Sequence, residues 1–454
     1  MNEFNEYTYI MARKVFISFL GTNNYLETYY ELGGRKCSHP VRYIQEALLE
    51  LTCEGWTADD NIYIFGTNGS EGSHDKNWID NGHKEPNGNV IELPGLDSQL
   101  KAMSLATSHD FEFIPEGFSR DDVWKMMEII TSKLERGDEI HLDVTHAFRS
   151  IPMLATTLFN YTQFMLDTTL ACVHYGAFEK LGPLYKVKQI PVEQRIAPIV
   201  DMTDIVRLQD FTEAASSLTV HGRIKKISNQ LSQIGSQMQR KYQNIINQVG
   251  REIEKLDNYI TTCRINDIRK GAYKRAISNN LKSLKKLSIP MPIKELVVLI
   301  EQETSDFVPE DSNANIEAAI TWARKYEMLS QAYTLAREYI CIRTTEVFSP
   351  YSDQFNPDED HKEYREFVSS LLNIDQKDAD NENFKFGLAS HIELTKKLLH
   401  DDFITQLRPF YKRLSDARNI IDHGKGNQDW KYFVKEFENY SSCLNLLKQY
   451  VQED

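Results

Sequence analysis

The chain has 454 residues, which is enough for two or three domains of roughly 150 residues each. Hydrophobic residues make up 41% and charged residues 26%, as in a globular protein with a buried core. The formal net charge of -14 argues against a protein that coats nucleic acid with its whole surface, although it is compatible with a local basic groove.

The cysteines and the lengths of the apolar segments predict where in the cell the protein is located. The six cysteines form no C-x-x-C pair, which predicts reduced thiols in a cytoplasmic protein and no zinc site. No basic segment followed by an apolar stretch opens the sequence, and no run of about 18 apolar residues occurs. We therefore expect neither a signal peptide nor a membrane span.

Strand and helix patterns alternate through the first 200 residues. Short apolar runs at 14–21, 61–70, 139–150, 169–178 and 197–206 predict strands, several of them ending in polar loops. Helical spacing of apolar residues lies between them, at 39–53, 121–137 and 152–166, and the largely apolar last segment predicts a buried helix. The alternation predicts an α/β Rossmann-like domain over residues 13–205, with a mostly parallel sheet and helices on both faces.

Long polar helices replace the strands from about residue 208. Two prolines, Pro290 and Pro292, mark a joint between helical parts. We therefore predict an all-α linker over residues 206–315 and an all-α domain over residues 316–454. Within them, residues 310–348 are expected to form one helix with a bend, and residues 375–384 an acidic loop.

Three polar loops follow predicted strands, at Gly21–Tyr25, Gly66–Ser70 and Asp143–Arg149. In parallel sheets ligands bind beyond the carboxyl ends of the strands, and such loops offer glycine backbone, neutral donors and helix starts that attract phosphate. The candidate ligand-binding residues are Gly21, Thr22, Asn23, Asn24, Thr67, Asn68, Gly69, Ser70, Asp143, Thr145, His146 and Arg149. For any one loop, plain turn formation is the alternative, and Asp143 and Thr145 could be caps. No G-x-G-x-x-G or G-x-x-x-x-G-K-[ST] motif is present, which disfavours dinucleotide and P-loop sites.

A second candidate site lies near the end of the chain, in the R-N-x-x-x-H stretch of Arg418, Asn419 and His423. Gly424 is expected to end the helix, which would leave the histidine in the final turn. Histidine can move the proton of a ribose hydroxyl, arginine can bind the phosphate, and the asparagine can orient either group. The alternative is a helix end whose cations complement the helix dipole.

The third loop resembles a known signature. The run LDVTHAFRSIP is similar to the D-x-T-H-G signature of CRISPR-associated Rossmann-fold sensor (CARF) domains: Asp143, Thr145, His146 and Arg149 fit it, and Ala147 stands where glycine is usual. The resemblance covers roughly residues 13–200. The terminal stretch resembles the R-x4–6-H motif of HEPN ribonucleases, which are all-α domains that commonly follow a CARF domain.

The resemblance implies a cytoplasmic, metal-independent endoribonuclease of type III CRISPR defence that cuts single-stranded RNA. It implies a homodimer, or a higher oligomer of dimers, activated by a cyclic oligoadenylate. Cyclic tetra-adenylate is expected in the first place and cyclic hexa-adenylate as the alternative, with no other cofactor. Two other functions stay open: a non-catalytic sensor or transcription regulator, and a sensor domain that degrades its own ring. The basic stretch from Arg264 to Lys286 is either a guide for RNA or a solvated helix face.

Overall fold

The computed structural model describes residues 12–68, 72–80, 82–84, 90–146, 151–206, 208–237, 240–287, 291–355, 362–385, 387–424 and 426–450. The chain divides into two compact units, Met1–Leu208 and Gln209–Asp454. The finer division of the helical half at residue 315 stays a prediction.

The first unit is built on an eight-stranded sheet with the strand order β3-β2-β10-β9-β8-β1-β4-β7. Strands β9, β8, β1, β4 and β7 are parallel neighbours, whereas β10 runs antiparallel to β9. The strands are β1 (Lys14–Phe19), β2 (Tyr29–Leu32), β3 (Arg35–Lys36), β4 (Asn61–Gly66), β5 (Gly82–Lys84), β6 (Val90–Glu92), β7 (Ser108–Phe113), β8 (Glu139–Asp143), β9 (Thr169–Gly176) and β10 (Ile196–Asp201). The short pair β5 and β6 forms a separate sheet.

Helices cover both faces of this sheet. They are α1 (Ile44–Thr52), α2 (Leu96–Ala102), α3 (Arg120–Thr131), α4 (Ile151–Leu166), α5 (Leu184–Val187) and α6 (Thr203–Val206). Successive residues of β1 face opposite sides, so Phe16 packs in one core with α1 and α2, while Val15 and Ile17 pack in the other with α3 and α4. The predicted α/β fold class of the first unit is confirmed.

Three details of this unit differ from the sequence expectation. The helix expected to stop at Gly137 ends at Thr131. Helix α4, expected to be buried, exposes Tyr161, Phe164 and Met165 near its carboxyl end, with 83% of Phe164 accessible. Strand β7, which lies at one edge of the sheet, was not predicted from the sequence. Its residues alternate between polar and apolar and form no continuous apolar run.

The described residues of the second unit form helices joined by turns and loops, and they include no strand. Its helices are α7 (Leu208–His221), α8 (Lys225–Gln237), α9 (Arg240–Thr261), α10 (Ile265–Arg269), α11 (Ala272–Leu284), α12 (Met291–Glu303), α13 (Ala314–Lys325), α14 (Leu329–Val347), α15 (Lys362–Asn373), α16 (Gln376–Asp380), α17 (Gly387–Ser390), α18 (Ile392–Leu399), α19 (Asp402–His423), α20 (Trp430–Phe437) and α21 (Asn439–Tyr450). One buried core runs through them from Ala214 to Leu447. The predicted all-α second half is confirmed.

Two local predictions in this unit are wrong. Residues 310–348 form two helices, α13 and α14, because Glu327 adopts a left-handed conformation (φ 56°) that ends the first helix. The expected acidic loop at 375–384 contains the short helix α16.

Candidate functional site

The carboxyl ends of β1, β8 and β9 surround a cavity of about 480 Å³ in the first unit. Its walls include Asn23 and Asn24 after β1, Thr145 and His146 after β8, and Glu179 after β9. The parallel register sets Ile17 of β1 beside Leu142 of β8, which brings the following loops to one edge of the sheet. The structure thus brings four of the predicted ligand-binding residues together, at the place expected for a parallel sheet.

Asp143 holds the third loop from inside the protein. Its side chain is buried, Oδ2 accepts a hydrogen bond from Ser18 Oγ at 2.6 Å, and Oδ1 accepts from Thr145 N at 2.9 Å and Thr145 Oγ1 at 2.5 Å. Gly176 N in turn donates to Thr145 Oγ1 at 2.8 Å. Burial raises the pKa of Asp143. Asp143 and Thr145 therefore shape the edge of the cavity through contacts within the protein.

Two buried polar residues that sequence reasoning missed support this network. Gln45 Nε2 donates to Ser18 Oγ at 2.9 Å and to Phe19 O at 3.2 Å. Asn77 Nδ2 donates to Gly21 O and Asn23 O, each at 2.9 Å, and so ties down the first loop. A serine inside the apolar run KVFISFLG was the signal that could have revealed the interior polar network.

Tyr25 and His146 form an aromatic wall of the cavity. Their ring centroids lie 4.3 Å apart with an interplanar angle of 31°. The Tyr25 hydroxyl is buried next to the backbone of Gly21 and would stand 2.5 Å from a Cβ at position 21. Gly21 is therefore needed for the approach of Tyr25, whereas the sequence suggested the approach of a ligand.

In the described part of the second loop, Thr67 is held by Ser73. Thr67 is buried, its N donates to Ser73 Oγ at 2.9 Å, and its Oγ1 accepts from Ser73 N at 3.2 Å. Asn68 is exposed and Thr22 is half-buried. Gly69, Ser70 and Arg149 lie outside the described residues, so their roles stay predictions.

Burial lowers the pKa of His146 to about 4, so this imidazole is neutral at pH 7. In the unfolded chain it would take up a proton near its ordinary pKa of about 6.5. Unfolding therefore binds a proton between those two values, and stability must fall as the pH falls through that window. We expect the wild-type protein to lose about 2 kcal/mol more unfolding free energy than His146→Phe between pH 7 and pH 5.

Urea unfolding of both proteins at the two pH values measures this difference. His141 and His174, whose pKa values are also lowered by burial, contribute to both proteins and cancel in the comparison. An equal loss of stability in wild type and variant would show that folding leaves the pKa of His146 at its ordinary value.

The terminal stretch lies on the last turns of α19. Asp401 caps the start of this helix by accepting from Phe403 N and Ile404 N, and Gly424 ends it in the left-handed conformation (φ 59°, ψ 30°). The predicted helix end after His423 is confirmed. The side chain of His423 is exposed and makes no hydrogen bond to the residues that the structure describes.

Arg418 is held by its neighbours on the same helix. Its Nε lies 2.7 Å from Asp422 Oδ2, and its Nη1 donates to Asn419 Oδ1 at 3.3 Å. Ser330 of α14 donates to Asp422 Oδ1 at 3.0 Å and fixes the carboxylate. Sequence reasoning missed Asp422, although its position four residues after Arg418 places both on one helix face.

The basic stretch from Arg264 to Lys286 is largely engaged within the second unit. Arg269 Nε lies 3.0 Å from Asp311 Oδ1, Lys285 pairs with Glu301, and the buried Lys274 Nζ donates to Thr304 O at 2.6 Å. These contacts favour a structural role for those three cations. A role in guiding RNA stays a prediction for the rest of the stretch.

The described residues offer neither a cluster of metal ligands nor a membrane-spanning helix. Among the described residues, no group of three or more His, Cys, Asp or Glu side chains is arranged to hold a metal ion. None of the described helices combines the length and the apolar character needed to cross a membrane.

The fold and the site together define a class of two-part protein. One part is an α/β unit with a ligand-sized cavity at the ends of its strands, and the other is an all-α unit. No protein-family model matches the sequence. The chain is 22% identical over 343 residues to the CRISPR-associated protein MJ1674 of Methanocaldococcus jannaschii. The aligned residues cover 74% of this chain and 45% of that relative. The chain thus spans about half the length of the curated relative that it matches. This relative supports the resemblance to CRISPR-associated proteins inferred from the sequence.

Among solved structures, the chain is similar to Enterococcus italicus Csm6 bound to cyclic hexa-2'-fluoro-hexa-dAMP. The TM-score is 0.45 with 13% sequence identity, and the alignment covers 97% of this chain and 96% of that protein.

Proposed function

We propose that this protein is an endoribonuclease of type III CRISPR defence that is activated by a cyclic oligoadenylate and cuts single-stranded RNA without a metal ion. The observation that carries the proposal is the end of α19, where Arg418 and Asn419 are in contact and His423 is exposed. The cavity at the strand ends of the first unit supports a ligand-controlled enzyme.

The residues at the end of α19 suit cleavage by the neighbouring 2'-hydroxyl. His423 takes the proton of the attacking hydroxyl or gives one to the departing 5'-oxygen, and Arg418 stabilises the charge that develops on the phosphate. The products are a 2',3'-cyclic phosphate and a 5'-hydroxyl. Five residues at about 100° each set Arg418 and His423 about 140° apart around the helix, so we propose that a second copy of the chain completes the site.

The test is to incubate the purified protein with labelled RNA and each ring size separately. We expect one ring, cyclic tetra-adenylate first and cyclic hexa-adenylate otherwise, to stimulate cleavage. A ring that binds without stimulating cleavage would favour the non-catalytic sensor. Conversion of the ring itself to linear products would favour the ring-degrading alternative.

Metal independence gives a separate prediction. Because a histidine and an arginine can supply both the proton transfer and the charge stabilisation, cleavage should keep its rate in excess EDTA. RNA cleavage assays with and without chelator measure this. A complete loss that added Mg²⁺ restores would contradict the proposed chemistry.

The symmetry of the activator predicts the stoichiometry of binding. A dimer presents each loop of the first unit twice, so a ring with two-fold symmetry can contact both copies equally. Isothermal calorimetry should give one ring per two chains. One ring per chain would exclude a shared site.

A further inference from the structure

The described lining of the cavity in the first unit has an unusual charge for a site that receives a ring of phosphodiesters. Its described lining contains one carboxylate, Glu179, and no lysine or arginine. The imidazole of His146 is neutral at pH 7 and adds no positive charge. Among the described residues of the lining, a phosphate would meet the carboxylate of Glu179 and no cation, so this part of the cavity suits a neutral part of a ligand.

Aromatic rings make the walls suitable for a flat neutral group. Tyr25, Tyr30, Tyr175 and Phe178 line the cavity, and the ring of Tyr25 packs against that of His146. Stacking of a nucleobase on an aromatic side chain contributes to binding regardless of which base it is. The volume of about 480 Å³ is also in the range of small-molecule pockets.

Glu179 is held in place at the edge of this aromatic cavity. It lies in the short turn Phe178–Leu181 that follows β9, and Tyr175 Oη donates a hydrogen bond to Glu179 Oε1 at 2.6 Å. This bond restrains the exposed carboxylate and leaves Oε2 as a further acceptor. Because a carboxylate can only accept hydrogen bonds, the ligand group that it contacts must be a donor.

We propose that this cavity binds a nucleobase of the activator, and that the Glu179 carboxylate accepts a hydrogen bond from the exocyclic amine of adenine. Tyr175 is the residue that positions the carboxylate. The inference rests on the proposed function, since it takes the ligand to be a cyclic oligoadenylate. It assigns the phosphates to groups outside the described lining of the cavity.

The experiment compares two rings that differ only in the amine. Calorimetry measures the affinity of cyclic tetra-adenylate and of the same ring built from unsubstituted purine, which lacks the exocyclic amine. A hydrogen bond to a charged group favours the amine-bearing ring by roughly 10- to 100-fold in the wild-type protein. In Glu179→Ala this ratio should fall close to one, and in Tyr175→Phe it should take an intermediate value.

Glu193→Ala is the matched control. Glu193 is an exposed carboxylate of the same unit, on the turn Val192–Gln194 and away from the cavity lining, so its removal causes the same change in net charge. This variant should keep the wild-type ratio. The ratio cancels any general effect of charge on the binding of phosphates.

The outcomes separate this inference from the function on which it rests. If wild type binds neither cyclic tetra-adenylate nor cyclic hexa-adenylate, the proposed function fails. Equal binding of both tetranucleotide rings by wild type would show that the ring is a ligand but that Glu179 does not bind the exocyclic amine. An unchanged affinity ratio in Glu179→Ala would show the same. Should only cyclic hexa-adenylate bind, the comparison is made with the hexameric purine ring.

Discussion

Replacing His423 by alanine is expected to reduce ring-stimulated RNA cleavage by roughly 10²–10⁴-fold, the usual contribution of a general acid or base. The imidazole is exposed at the last turn of α19 and makes no hydrogen bond within the described part of the chain, so its removal should not disturb the fold. Cleavage of labelled RNA at saturating ring measures the effect. Calorimetry of the ring should give the wild-type affinity.

His400→Ala is the matched control for this substitution. His400 is also exposed and also lies at the carboxyl end of a helix of the second unit, where its Nδ1 lies 2.8 Å from Lys396 O. It should cut RNA at the wild-type rate. Full activity of His423→Ala would remove the catalytic role from the R-N-x-x-x-H stretch, and equal losses in both variants would indicate a general effect of losing an exposed histidine.

The fold class was predictable because it depends on patterns that are local in sequence. Apolar runs followed by polar loops marked β1, β4 and β8, and the glycine after His423 marked the end of α19. Strands without such a run were missed. Strand β7 pairs only with β4 in the described sheet, so one of its edges is open. Its sequence can therefore alternate between polar and apolar residues.

The position of the candidate site was predictable from the sequence, whereas the roles of its individual residues were less so. Its position follows from a general property of parallel sheets, which collect the loops at their carboxyl ends. The roles of individual residues depend on contacts between distant segments. Thr145 bonds to Asp143 and Gly176, and the space beside Gly21 is filled by Tyr25, so these residues build the cavity from within. Glu179 belongs to no motif and became a candidate only through the cavity that it lines.

The Asp143–Arg149 loop and the R-N-x-x-x-H stretch lie in separate units of the chain, so the activation proposed above would require coupling between them. A ligand shifts such an equilibrium only by its different affinity for the inactive and active states. Arg149→Ala should therefore weaken ring binding and move the activation curve to higher ring concentration. The loss of one charged phosphate contact, about 1.5–3 kcal/mol, corresponds to a shift of roughly 10- to 100-fold. The rate at saturating ring should stay near that of wild type.

Arg149 is a sharper choice than Thr145 for this test, because the Thr145 hydroxyl also holds the loop to Asp143 and Gly176. Arg35→Ala, which removes an exposed arginine from β3 of the same unit, is the control and should keep the wild-type curve. Cleavage rates across a ring titration, together with calorimetry, distinguish the possible roles of Arg149. If the variant binds the ring as wild type does and fails to cut RNA, Arg149 transmits the signal and does not capture the ligand. If it cuts RNA normally at low ring concentration, the ring binds elsewhere, because a ligand that lost an essential contact could not populate the active state at the same concentration.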